Sequence, residues 1–235
     1  MKYLYHKEMY LYFSTPFGFI FLGIFLLLCG AMFTIYNLVG GNGDLAGTFD
    51  LLKSTSSMIF PVLTMRCFAE ERRTGAEQFL TTSKLSCTDI VIAKYLAAVT
   101  VFVIGLFCTG IYVWIIRSHG TANYGALSAS YLGFFLLGSA MIAVCLLCSS
   151  FADNQITAAV ASFGILFFLI LLASLSKTVT AVPVLGSVIS ALAITVRYDA
   201  FTLGILTPGP VVYYIAFSAV CVFLTVKNLE RRRFI

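Results

Sequence analysis

The chain has 235 residues, of which 60% are hydrophobic and only 11% charged, less than half the roughly 25% charge of an average soluble domain. The apolar residues lie in continuous runs of about 20, the length an α-helix needs to cross a bilayer core, and the lack of apolar–polar alternation argues against a β-barrel. The net charge of +5 is not a nucleic-acid signal, because the basic residues cluster beside the apolar runs, where anionic headgroups and the positive-inside bias account for them.

Residues 1–16 interleave Tyr3, Tyr5, Tyr10, Tyr12 and Phe13 with Lys2, Lys7 and Glu8. Tyrosines beside a span favour the headgroup layer, so this stretch reads as an interfacial elbow helix. Pro16 permits the turn into the first span, whose apolar run is too long for a cleavable signal. Six spans are expected, at 17–39, 51–69, 90–116, 129–150, 156–176 and 208–227. The second is the weakest: Lys53 and Arg66 bracket a short uncharged stretch, and Pro61 should kink it or be accommodated by a neighbour. Arg66 and Lys94 fall near the inner ends of their spans, within snorkelling reach of the headgroups.

Residues 178–196 carry no charge and are nearly long enough to span, but Pro183 and Gly186 interrupt them. The stretch 178–206 is therefore read as short re-entrant or interfacial helices on the outer face. With the N-terminus inside, eleven Lys and Arg fall on inner segments and four, Lys53, Arg117, Lys177 and Arg197, on outer ones. That bias puts both termini in the cytoplasm; a seventh span would place Arg231-Arg232-Arg233 outside, against it. The expected fold is an all-α, polytopic membrane helix bundle, with residues 1–235 forming a single transmembrane domain.

The seven cysteines, Cys29, Cys67, Cys87, Cys108, Cys145, Cys148 and Cys221, nearly all lie in or beside apolar runs. They read as small buried apolar residues, not disulfides. Cys145 and Cys148 have a metal-like spacing, but no second Cys or His pair accompanies them. In the fifth span, Ala158, Ala161 and Ser162 form a small-residue surface of the kind that lets helices approach closely in lipid. It reads as a possible interface between two permease subunits, the alternative being packing within one.

The most informative stretch is a polar island holding Glu70, Glu71, Arg72, Arg73, Thr74, Gly75 and Glu77. Each ionised side chain costs several kcal/mol in lipid, so the island must project into water between the second and third spans. The second span should run on as helix through Glu70-Glu71-Arg72-Arg73 and weaken at Gly75. Thr74 and Glu77 match a capping box, opening a short helix whose Ala76, Phe79 and Leu80 share one face. Ser86-Cys87-Thr88-Asp89 is a second possible cap. The loop 70–89 then presents an apolar knob flanked by charge; the alternative is a solvated loop whose Phe79 and Leu80 dip into the headgroups.

These residues resemble a known family. The run from Arg66 through Ser83, with Asp89-Ile-Val-Ile-Ala-Lys94-Tyr95 after it, is similar to the loop after the second span of ABC-2-type permeases. The closest subgroup is that of the gliding-motility-associated (Gld-type) and nitrous-oxide-cluster (Nos-type) permeases. Lys7-Glu8 followed by Tyr12-Phe13-Ser14-Thr15-Pro16 resembles the subgroup's N-terminus, and Tyr198-Asp199-Ala-Phe201-Thr-Leu-Gly204 with Leu229-Glu230-Arg231-Arg232-Arg233 resembles its end. Lys84 stands where the family has Pro, and Ala76 where it has Thr. The resemblance implies a bacterial cytoplasmic (inner) membrane permease that pairs with a second permease subunit, identical or paralogous, and with separate ATP-binding subunits. The loop would be the coupling element, with Phe79 and Leu80 as its anchor. ATP and Mg would bind the ATPase subunit, and no cofactor or metal is expected in this chain, which carries no Gly-x-x-x-x-Gly-Lys-Ser/Thr phosphate loop.

An exporter is the expected function. The alternative within the same family is ATP-driven mechanotransmission to a periplasmic or extracellular partner. A secondary transporter is disfavoured, since no ionisable residue falls at the centre of a predicted span. Catalysis is disfavoured too: the only histidines, His6 and His119, lie on opposite sides of the membrane in this topology, and no Gly-x-Ser-x-Gly run occurs.

Overall fold

A computed structural model describes residues 1–73, Gly75, 86–119, 124–178, 193–204 and 207–233, and among them only helices, turns and bends occur. The first helix, α1 (Lys2–Ser14), ends where Thr15 turns extended, and Pro16 opens α2 (Pro16–Phe33) at its first position. There the missing N–H of proline has no intrahelical partner to lose. A π-helical turn, Thr34–Val39, closes α2. The buried amide of Asn37 then pins the following loop: it donates to the carbonyls of Asn42 (2.6 Å) and Asp44 (2.9 Å) and accepts from the Thr48 hydroxyl.

The remaining helices are α3 (Ala46–Thr64), α4 (Ala69–Arg73), α5 (Cys87–Cys108), α6 (Gly110–His119), α7 (Tyr124–Phe151), α8 (Gln155–Thr178), α9 (Asp199–Thr202) and α10 (Pro208–Arg233). A 3-10 turn, Val196–Tyr198, precedes α9. Helices α5 and α6 run on from one another with a break at Thr109, whose hydroxyl meets the Tyr131 phenol at 3.2 Å.

Among the described residues, five stretches are long and apolar enough to cross a membrane: Pro16–Val39, Cys87–Arg117, Gly125–Phe151, Gln155–Leu175 and Pro208–Arg232. They define an all-α, multi-pass membrane protein. The stretch expected to span at 51–69 forms its helix earlier, as α3, and is not among the five. The physical reason lies in its first half, where Asp50, Lys53, Ser54, Thr55, Ser56 and Ser57 lower its hydropathy. Lys53, Ser56 and Ser57 among them are satisfied internally. Lys53 Nζ lies 2.5 Å from Asp50 and 3.0 Å from Asp199, and Ser56 and Ser57 donate to carbonyls three residues back. Pro61 sits buried inside α3 without ending it.

Helix α7 is the axis of the bundle: 83% of its apolar window is buried, against 22% for α8 and 28% for α2 and α10. Around it pack α3, α5, α8, α9 and α10. Phe25, Phe60, Phe102 and Phe134 from α2, α3, α5 and α7 form one aromatic cluster, with Phe102 edge-on to both Phe25 (5.8 Å) and Phe60 (5.1 Å). Gly138 on α7 makes room for it, because a Cβ there would fall into the Phe102 ring. In lipid, where the hydrophobic effect does not drive helices together, such close packing carries the association.

Part of the expected outer-face segment, 193–204, is described. Tyr198 and Phe201 are fully buried there, and the Tyr214 phenol of α10 donates to the Ile194 carbonyl at 2.6 Å. Residues 179–192, and with them Pro183 and Gly186, lie outside the described residues.

Candidate functional site

The base of the polar island is the five-residue helix α4, which Gly75 ends as the sequence anticipates; it is not a continuation of the preceding helix, because α3 stops at Thr64 and residues 65–68 form a turn between the two. Gly75 has φ +73°, and its N–H bonds the Arg72 carbonyl at 3.1 Å. A left-handed residue at a helix end is the glycine C-cap. Thr74, Ala76, Glu77, Phe79 and Leu80, hence the capping box and the apolar anchor, lie outside the described residues, as does the Arg73 side chain.

Glu70, Glu71 and Arg72 each bind a different part of the bundle. Glu71 Oε1 lies 2.8 Å from Lys94 Nζ on α5 and 3.5 Å from Lys7 Nζ on α1. Lys94 Nζ also lies 3.1 Å from Glu8 Oε1 on α1, and 5.3 Å from the centre of the Phe68 ring. Lys94 is 2% exposed and Glu8 5%. A buried ammonium is tolerable only when paired and hydrogen-bonded, and two carboxylates meet that need. Lys7, half-exposed at the edge, brings the sum of the four charges to zero. Lys94 thus does not reach for the headgroups as its sequence position indicated. It points inward, because the carboxylates of α1 and α4 are there.

The second attachment is Glu70. Its Oε2 pairs with Arg66 Nε one turn back and accepts a hydrogen bond from Gln155 Nε2 of α8 at 2.9 Å. The Arg66 guanidinium lies 4.0 Å over the Phe17 ring of α2, a cation–π contact.

The third attachment is Arg72, which caps α7. Its two terminal nitrogens donate to the Ala152 carbonyl and, at 2.9 Å, to the Ser150 carbonyl, with Asp153 Oδ1 at 3.1 Å. The last carbonyls of a helix have no intrahelical partner and carry the negative end of its dipole, so a forked cation suits them. Asn228 of α10 reaches the same Ser150 carbonyl at 3.0 Å. Four residues on, Asn154 Oδ1 accepts from the Thr157 N–H at 2.8 Å and opens α8.

Helix α1 is held by more than charge. The Tyr12 phenol donates to the Leu63 carbonyl at 3.1 Å, near the C-terminus of α3, and lies 3.2 Å from Cys67 Sγ. Burial, with the Cys67 thiol beside it, pushes the phenol well above the usual tyrosine range and keeps it a donor. A cavity of about 280 Å³ lies between α1, the end of α3, α4 and α5.

Of the small residues marked on the fifth span, Ala158 and Ser162 are fully buried inside the chain, and the Ser162 hydroxyl faces the Cys145 carbonyl of α7 at 3.5 Å. This pair serves packing within the subunit; Ala161 is exposed. Glu8, Tyr12 and Lys94 belong to the site although sequence reasoning did not place them there. The available signal was Lys94 itself, the sole charge between Asp89 and Arg117.

No protein-family model matches the chain, and no curated protein matches it.

Proposed function

We propose that this chain is the membrane-spanning permease subunit of an ABC-2-type ATP-driven exporter, coupled to a separate ATP-binding subunit. In this reading α3 crosses together with the five apolar stretches, giving six spans with both termini cytoplasmic in a bacterial inner membrane. A second permease subunit completes the pore, and ATP and Mg bind the ATPase.

The observation that carries the reading is the anchorage of α4. A slack positive-inside connection needs no buried partners, whereas α4 is ion-paired to α1 and α5, bonded to α8, and caps α7. A push on residues 74–85 would therefore move four helices together. The resemblance of the run from Arg66 to Ser83 to a coupling loop supplies the identity of what pushes.

The test is co-purification of the chain with a co-expressed candidate ABC ATP-binding subunit, followed by measurement of cargo-stimulated hydrolysis. Phe79→Ala should weaken ATPase binding by roughly 2–4 kcal/mol, the range for a buried aromatic anchor. Glu71→Lys should uncouple hydrolysis from transport or prevent assembly while leaving membrane insertion intact. Parent-like assembly and turnover of both variants would reduce the island to a connecting loop.

A further inference from the structure

We propose that the cavity beside α1 holds the headgroup of one zwitterionic phospholipid, a phosphodiester bearing an ammonium, from the leaflet in which α1 lies. The cavity is about 280 Å³, below the roughly 300–1,000 Å³ of sites that enclose a drug-sized ligand. It has room for a headgroup, and the acyl chains remain in the bilayer.

Its lining has two characters. Leu11, Tyr12, Phe17 and Leu63 form an apolar wall at the joint between α1 and α2, while Lys7, Arg66 and Lys94 face Glu8, Glu70 and Glu71. Among the described lining residues, three cations and three carboxylates cancel. A ligand with net charge would leave an uncompensated charge in a partly buried site; one carrying both signs does not.

Arg66 is the residue that selects a phosphate. Its Nε is engaged by Glu70 and one face by Phe17. Among the described residues its two terminal nitrogens have no hydrogen-bond partner. Two parallel N–H donors match two phosphate oxygens. Lys7 stands at the mouth, 46% exposed, with long contacts of 3.5 and 3.8 Å to its carboxylates, and can turn to the same phosphate. The headgroup ammonium then lies toward Glu70 and Glu71, since a carboxylate accepts several hydrogen bonds at once.

This inference rests on α1 lying at the membrane surface and not on the ATPase partner, so either can fail without the other. The full chain is placed in nanodiscs of equal phosphatidylethanolamine and phosphatidylglycerol, released, and weighed intact by native mass spectrometry. One phosphatidylethanolamine should stay bound per chain, in preference to phosphatidylglycerol. Arg66→Gln should lower that bound fraction about tenfold, the loss expected for a charge-assisted hydrogen bond. Leu11→Trp fills the cavity from its half-exposed wall with every charge left in place, and should abolish retention. If Arg66→Gln does not elute as a folded species, Leu11→Trp decides alone. Preference for phosphatidylglycerol, no retained lipid, or retention unchanged in Leu11→Trp would overturn the proposal. So would equal occupancy by glycerophosphoethanolamine, which would assign the cavity to a soluble phosphodiester.

Discussion

Lys94 and Glu71, on helices α5 and α4, meet at 2.8 Å inside the protein. Glu8 of α1 closes on the same ammonium at 3.1 Å. A buried ion cluster of this kind seldom stabilises a fold beyond what apolar residues of equal size would do, but removing one member is strongly destabilising. Its effect is to make three segments far apart in sequence mutually dependent. The N-terminal helix is thereby part of the site rather than a separate anchor on the membrane.

Arg72 supports α7, the most buried helix, from outside its end. Arg72→Met keeps the apolar stem and removes the donors. It should destabilise the protein by about 1.5–3 kcal/mol, the usual worth of hydrogen bonds to a charged group. The fall in melting temperature should be accompanied by faster amide exchange confined to the last turn of α7. Arg72→Lys should recover only part of the loss, because an ammonium lacks the two separate, coplanar terminal nitrogens with which the guanidinium reaches the Ser150 and Ala152 carbonyls.

How far the sequence revealed this arrangement depended on the kind of information required. The five apolar helices were legible because a run of apolar residues is a local property. The end of α4 at Gly75 was legible for the same reason. Helix α3 was only partly so: its polar first half weakens the hydropathy signal, and the partners that satisfy it, such as Asp199 for Lys53, are 146 residues away. The ion cluster was not legible, since Glu8 and Lys94 are separated by 86 residues and each alone looks like an ordinary charge near a membrane surface. Ala158, Ala161 and Ser162 read as a possible interface between subunits, yet Ala158 and Ser162 are buried within this one; which helix a small-residue surface meets is a tertiary fact.

Two glycine substitutions should give opposite outcomes. At Gly138 a new methyl would enter the Phe102 ring and press on Phe60. Gly138→Ala should therefore cost about 1–3 kcal/mol, as overpacking does. At Gly164 on α8 a Cβ meets nothing within 4 Å. Gly164→Ala should be neutral or stabilising by up to about 1 kcal/mol through helix propensity. Thermal melts of both variants in one detergent provide the comparison. Equal destabilisation would mean that the aromatic cluster does not control packing on α7.

Topology is tested at the ends of α3. With the native cysteines replaced, single cysteines at Gly43, Thr82 and Arg231 are exposed to an impermeant thiol reagent in intact cells. If α3 crosses and both termini are cytoplasmic, Gly43→Cys labels, while Thr82→Cys and Arg231→Cys label only after permeabilisation. Labelling of Gly43→Cys and Thr82→Cys alike would mean that α3 does not cross. Labelling of Arg231→Cys would place the C-terminus outside.

The charge cluster makes the most stringent prediction, because its members should be less harmful to remove together than singly. Lys94→Met leaves Glu8 and Glu71 without their buried cation, with only the half-exposed Lys7 at 3.5 and 3.8 Å beside them. It should destabilise the protein by about 3–5 kcal/mol, the range for breaking a buried pair. Glu71→Gln removes one carboxylate, leaves Lys94 paired with Glu8, and should cost less. The triple variant Lys94→Met, Glu8→Gln, Glu71→Gln carries no ionised group at these three positions and should regain most of the stability lost in Lys94→Met, a non-additivity that only interacting residues produce. Melting temperatures of the four proteins in one detergent read this out. If the triple variant were as unstable as Lys94→Met, the packing of the lysine stem, and not its charge, would be what ties α1 and α4 to α5.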